Sequence, residues 1–367
     1  PRGWSAPLPL VIPERRPWPT TVLNVRDFGA DGTGARDDTG ALQAALDKAG
    51  AAGGGVVLLP RGRYQITGGL TIPRFVTLRG AATDQTALFW PDMATPPEAL
   101  IQGTNSFAIE DVTLYASRAR HVIVGDLGDK PDAGSVSLIR VRTRVDAYRG
   151  HLTAEETDLR HRDLARIFGG DSVRLGGDNL RILNCDLYGS GRALFLSRAR
   201  HSVVRGNALY NGRHGWYCLS GSDGLIFENN TITGADLMAT GGGLNCLDGS
   251  SASQNVYYAH NTLRLMHGWD REAMTSDAGG GLYYGPIARA EGTALTLPEA
   301  LKPGARNWAG AAVFVFSGKG WTQMRRVVKV AGDTVTVDRP WDVPPDATSL
   351  VGITMLQRHY ILAGNNF

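Results

Sequence analysis

The apolar positions of this chain change period early. Over residues 39–49 they recur at helical spacing, with Ala41, Leu42, Ala45 and Leu46 on one side. Asp37, Asp38 and Thr39 predict an N-terminal cap for that helix, and the glycines at 50 and 53–55 predict its end. From Val56 onward the apolar residues come in short runs or alternate with polar ones, which predicts strands. The first is 56–59. A turn follows at Pro60-Arg61-Gly62, and further strands are expected near 64–66, 70–72 and 75–78.

Farther along, the alternation repeats. Nine-residue segments beginning at Asn179, His201, Gly224 and Asn255 align without gaps, their starts 22, 23 and 31 residues apart. Each reads as one coil of strand and turn. A lone coil cannot bury its apolar side, whereas coils stacked ~4.8 Å apart can. Cys185, Asn207, Asn230 and Asn261 share one phase of the repeat. They predict a ladder of side chains that satisfies turn backbone groups. The pattern breaks at 149–171, where charged residues predict a side loop or short helix, and again at 285–345. Within the second break, strands are expected at 312–316, 325–330 and 334–338, an inserted small β-unit. Residues 360–367 read as half of another coil, ending on an asparagine turn. A solenoid normally ends in a cap, so C-terminal coils are expected to be absent or supplied by a separate fragment.

The segment 24–80 carries a resemblance. Asp27-Phe28-Gly29-Ala30, Gly32, Asp37-Asp38-Thr39, Gln43, Gly53-Gly54-Gly55, Pro60, Gly62, Tyr64 and Leu78-Arg79-Gly80 resemble the N-terminal signature of the pectate-lyase-like superfamily. The resemblance implies an all-β, right-handed parallel β-helix whose N-terminal helix caps the coil stack. It also implies a secreted or periplasmic carbohydrate-active protein with a polysaccharide or oligosaccharide as partner. The expected organisation is an extended arm over 1–23, cap and first coils over 24–80, and coils over 81–284. The β-rich insertion over 285–345 and a return to the helix over 346–367 complete it.

Composition narrows the classes. Glycine makes up 47 of 367 residues, about 13% against the usual ~7%. That fits many turns and lacks a collagen period. A net charge of +3 without a basic block argues against nucleic acid, and no apolar run is long enough to span a membrane. Lysine occurs only at 48, 130, 302, 319 and 329, so the basic side is almost all arginine, suited to carboxylates. Three cysteines without C-x-x-C spacing predict buried thiols, not a disulfide framework or metal site. A homo-oligomer is compatible with all of this.

Chemistry on stacked coils needs carboxylates at matching phases. Aligning 215–221, 243–249 and 272–278 places Ser220, Asp248 and Asp277 in one register, 28 and 29 residues apart. Adjacent carboxylates would separate in pKa and supply an acid and a base. Asp270 and Glu272 add a second pair in the densest polar stretch, with His267, Trp269, Arg271, Tyr283 and Tyr284 as sugar contacts. His214 and Trp216 lie one coil away. Catalysis is therefore expected from Asp248, Asp270, Glu272 and Asp277. The leading expectation is a glycoside hydrolase without cofactor. The alternatives are a uronate lyase, for which Ca2+ or arginine would neutralise the carboxylate, and a non-catalytic glycan-binding or tailspike-like module. The polygalacturonase series N-T-D, D-D, G-H-G, R-I-K and the pectate-lyase R-x-P-x-x-R motif are absent.

Overall fold

The computed structural model describes residues 10–14, 17–117, 119–146, 171–189, 192–211, 217–234, 242–243, 253–266, 273–274, 281–301 and 308–367. The chain forms two compact units. One comprises 1–245, 253–276 and 359–367; the other comprises 246–252 and 277–358.

Among the described residues of the first unit, 22 strands join in one parallel sheet wound into coils. Each full coil contributes a strand to three faces. Arg181–Leu183, the following Asp186–Gly189 and the first half of Leu194–Arg205 form one such circuit. The repeat spacing read from the sequence is the pairing register: Arg181 opposes Val203, Val203 opposes Ile226, and Ile226 opposes Tyr257.

Alternation turns every second side chain inward. On the first face Val57, Leu78, Ile109, Leu138, Ile182, Val204, Phe227 and Tyr258 oppose one another in turn and are fully buried. The Phe227 and Tyr258 rings stack with centroids 5.0 Å apart and planes 7° apart. Each such side chain removes apolar surface worth about 1.5–3 kcal/mol from water, which no coil achieves alone.

The corners explain the polar half of the repeat. The coil-start residues Asn179, His201, Gly224, Asn255 and His359 all have positive φ, as do Asn184, Gly206, Asn229, His260 and Gly364 at the next corner. Asn and Gly enter that region most readily. At Gly206 a Cβ would lie 2.5 Å from Asn184 Oδ1, so any other residue there would have to displace that amide as well as hold a positive φ. The residue after the second corner forms the ladder. The Cys185 N–H donates to Asn207 Oδ1 at 2.8 Å, and Asn207 and Asn230 donate in the same way to the next asparagine. The Asn207 and Asn230 Nδ2 atoms also reach the carbonyls of Ile182 and Val204. The ladder continues to Asn365, whose Oδ1 accepts from both nitrogens of Asn261 at 3.0 Å. Residues 359–367 therefore lie directly on the coil that begins at Asn255. Cys185 is buried, and burial pushes its thiol up to about 12.

The helix Thr39–Ala51 buries Leu42, Ala45, Leu46 and Ala49 in the same core. Its cap differs from the expectation in one residue. Asp37 Oδ1 accepts from the Thr39 N–H at 3.0 Å. Asp38 is buried, and its carboxylate accepts instead from the N–H groups of Asp31 and Gly32. Asp38 thus ties the preceding loop and offers the helix only its backbone carbonyl, which accepts from Leu42. Burial raises the pKa of Asp37, but hydrogen bonds from Thr39 and Thr67 outweigh it and hold the carboxyl below its usual value.

The second unit holds a 7-stranded antiparallel sheet. Its strands Ala312–Ser317, Met324–Ala331 and Thr334–Val337 fall where the alternation predicts them. The unit is wider than 285–345, however. Tyr283–Pro286 and Leu350–Thr354 pair antiparallel within it, and Val351 and Ile353 bury in its own core. Residues 346–357 therefore do not belong to the returning coil, which starts at Arg358–Ala363.

Candidate functional site

The third face of the coils carries a cluster built from described residues. Along it Val124, Arg174 and Phe195 oppose one another in successive strands. These positions alternate with the buried Ile123, Val173 and Leu194, so their side chains point outward. Asp171 and Arg192 precede two of the strands. The Ser172 N–H donates to the Arg192 carbonyl at 2.8 Å, which fixes the start of each strand against the other.

Asp171 is the anchor. Its carboxylate is buried and accepts from Arg174 Nη1 at 2.7 Å and from Arg192 Nε. The two guanidinium carbons lie 4.9 Å and 4.7 Å from the centre of the Phe195 ring. Both arginines keep part of their surface open, 32% and 22% against 1% for Asp171. His121 Nδ1 lies 2.8 Å from the Asp171 carbonyl oxygen, which only accepts, so Nδ1 carries the proton. Burial holds the His121 pKa below its usual value, so it adds no charge at neutral pH. One buried carboxylate thus holds two partly open guanidiniums against an apolar ring.

Sequence alone does not reveal this cluster. Arg174 and Arg192 do not share a repeat phase, and Asp171 closes a stretch that reads only as charged loop. The (i, i+3) spacing of Asp171 and Arg174 is the one signal the chain carries.

Of the residues expected at the site, Asp248, Asp270, Glu272, Asp277, Trp269, Arg271, His214, Trp216 and His267 lie outside the described residues. The register expected to unite Ser220 with Asp248 falls outside the described residues at Asp248. Tyr217 opposes Gly242 and Cys218 opposes Gly243, an offset of 25, not 28. Ser220 opposes Ser197 on the other side and is buried. Tyr283 and Tyr284 sit on the antiparallel sheet. The Tyr283 hydroxyl donates to the Pro286 carbonyl at 2.5 Å, while Tyr284 is exposed beside Phe316. His201 pairs with Asp178 at 2.7 Å, and Asp223 accepts from Gln254 and Asn255, all at coil corners. Among the described residues no group of three or more His, Cys, Asp or Glu is placed to hold a metal ion. No helix of the described residues is long and apolar enough to cross a membrane.

Two family models match the chain: rhamnogalacturonase A/epimerase, pectate lyase-like, over residues 22–110, and right handed beta helix region over 161–263. Mannuronan C5-epimerase AlgE3 of Azotobacter vinelandii is 30% identical over 233 residues, 58% of this chain and 12% of that protein. Alginate lyase 7 of the same organism is 29% identical over 219 residues, 55% of this chain and 24% of that protein. The chain thus spans no more than about a quarter of the length of these relatives. Among solved structures, the A-module of mannuronan C-5 epimerase AlgE4 of A. vinelandii aligns at TM-score 0.45 and 21% identity, covering 69% of this chain and 70% of that one. Wound parallel coils, an asparagine ladder, a capping helix and the two family-model matches agree: the chain is a right-handed parallel β-helix protein of the pectate-lyase-like superfamily.

Proposed function

We propose that the chain modifies a uronate-containing polysaccharide on the third face, by chemistry that begins with removal of the proton at C5. The observation that carries this reading is the guanidinium pair of Arg174 and Arg192, anchored by Asp171 against Phe195. A uronate differs from a neutral pyranose by its carboxylate. Neutralising that group makes the C5 proton more acidic, and arginine forks do so without a metal. Phe195 is itself buried and backs the two guanidiniums, so its part is to hold the forks in place.

Epimerisation at C5 and β-elimination share this first step. They differ in whether a proton returns to the opposite side of C5 or the oxygen at C4 leaves. The relatives named for C5 epimerisation of mannuronan and for alginate lysis support the pair without choosing between them. The base is drawn from Asp248, Asp270, Glu272 and Asp277, with His214, Trp216, His267, Trp269 and Arg271 around the sugar. Hydrolysis is the second reading, favoured by Asp270 and Glu272 standing two residues apart in that acidic stretch. A polymer substrate of this kind fits a secreted or periplasmic protein.

The test is incubation with polyuronates and neutral glycans in heavy water. Deuterium at C5 of the polymer without chain shortening marks an epimerase. Unsaturated ends absorbing in the ultraviolet mark a lyase. Reducing ends without either, or action on neutral glycans alone, overturn the C5 reading in favour of hydrolysis.

A further inference from the structure

The antiparallel unit carries an aromatic platform that the third-face chemistry does not use. Tyr284, Gly352 and Phe314 oppose one another across three neighbouring strands, and Met324 opposes Phe314 on the next. Val313, Val315, Val351 and Ile353, the alternate residues of the central strands, fill the unit's core. The side chains of Tyr284, Phe314 and Met324 therefore rise from the opposite face. Phe316 joins them: its ring centre is 5.8 Å from that of Tyr284 and 6.2 Å from that of Phe314.

Gly352 makes room for the central ring, whose plane is tilted 58° to that of Tyr284 and 33° to that of Phe314. A Cβ there would lie 2.4 Å from Phe316 Cε2, so the Phe316 ring lies over bare backbone and fills the space between the flanking rings. Tyr284 is 72% and Phe316 52% exposed. Adjacent aromatic rings left this open on a folded sheet are an unpartnered binding face. Arg326 is exposed two residues beyond Met324 on the same strand, and so on the same side. It continues that side of the strand past the rings, and the Asp338 carboxylate accepts from its backbone N–H at 2.8 Å.

We infer that this aromatic patch is a second polysaccharide-binding site, within the antiparallel unit itself, which takes the pyranose rings of a polyuronate against its tilted aromatic faces. Sugar rings present C–H groups that stack on aromatic faces, and Tyr284, Phe314 and Phe316 offer three in a row. Arg326 supplies the charge complement for a carboxylate on a bound ring. Rigid rings on paired strands lose little entropy on binding, unlike side chains on loops. The inference rests on the proposed substrate class for the charge of the ligand, and not for the stacking.

Affinity electrophoresis of the full chain in gels containing alginate tests it, with Phe316→Ala and Phe316→Tyr alongside. The truncation should weaken retardation by tenfold or more, and the tyrosine, which keeps a ring over Gly352, should preserve it. Unchanged retardation in Phe316→Ala, or equal loss in Phe316→Tyr, overturns the platform. So does a dimer that dissociates in Phe316→Ala, since the face would then belong to a second copy. Retardation that depends on Phe316 in a chain that leaves polyuronates unmodified overturns the proposed reaction and supports the platform. Modification of polyuronates with retardation independent of Phe316 does the reverse.

Discussion

Asn207 donates to Asn230 twice, from its backbone N–H at 3.0 Å and from Nδ2 at 2.9 Å, both to the same Oδ1. One buried amide thus terminates two donors of the coil before it, while its own nitrogens reach Val204 and Asn261. Asn230→Ala leaves those groups unsatisfied, at about 1–3 kcal/mol for each buried one. A loss of about 2–4 kcal/mol in urea unfolding is expected, with alginate retardation of the folded fraction unchanged. Asn230→Asp should not restore stability, because a carboxylate cannot donate to the Val204 carbonyl.

Arg174→Ala removes one of the two forks. A charged hydrogen bond is worth about 1.5–3 kcal/mol, so kcat/KM on a polyuronate should fall roughly 10- to 100-fold. Arg174→Lys keeps the charge but not the planar fork and should recover only part of the loss. Steady-state kinetics on polyuronate fragments of fixed length give the comparison. An unchanged kcat/KM in Arg174→Ala removes the cluster from the substrate site.

His121 makes the fold sensitive to acid. Burial favours its neutral form, so its folded pKa lies below the unfolded value of about 6.5. Between those two values the unfolded chain binds more protons than the folded one. Stability is therefore complete above about pH 6.5 and declines as pH falls toward the folded pKa. Thermal melts across this range should show the decline in the wild type and a shallower one in His121→Gln. Equal slopes would remove His121 as its source.

Asp248→Asn and Asp277→Asn should each lower turnover by orders of magnitude while leaving the melting temperature in place. Near-normal turnover in both would leave Asp270 and Glu272 as the acidic pair to test.

The coil repeat is legible in the chain because its two demands, alternation and left-handed corners, leave residue types at fixed positions. In the coils from Asn179 onward Asn, Gly and His occupy the positive-φ corners, whereas Phe75, Ser106, Ser135, Asp111 and Arg140 hold them in earlier coils; asparagine follows at four of the ladder positions. The strands of the antiparallel unit are legible for the same reason of alternation. The boundaries of that unit are not, since Leu350–Thr354 is as apolar and regular as a coil strand and only its partners distinguish it. The Asp171 cluster stays hidden because it depends on how two neighbouring strands begin side by side, a relation set by stacking and not by spacing. Tyr284 stands out for sugar contact, but not together with Phe314, Phe316 and Gly352, which antiparallel pairing brings to it from far along the chain.

The rung between Asn261 and Asn365 has a consequence for the order of assembly. Earlier rungs join residues 22, 23 and 31 apart, whereas Asn261 and Asn365 are 104 apart. Closing a flexible loop of the longer length costs about 1.4 kcal/mol more than one of the shortest, because closure entropy grows with the logarithm of length. The antiparallel unit has its own core, so its prior folding would shorten the flexible part of that loop. This coil is then the step that waits. The docking rate of residues 359–367 should follow the folding of the inserted unit, which makes a sheet of separate topology the timer for adding this coil to the helix.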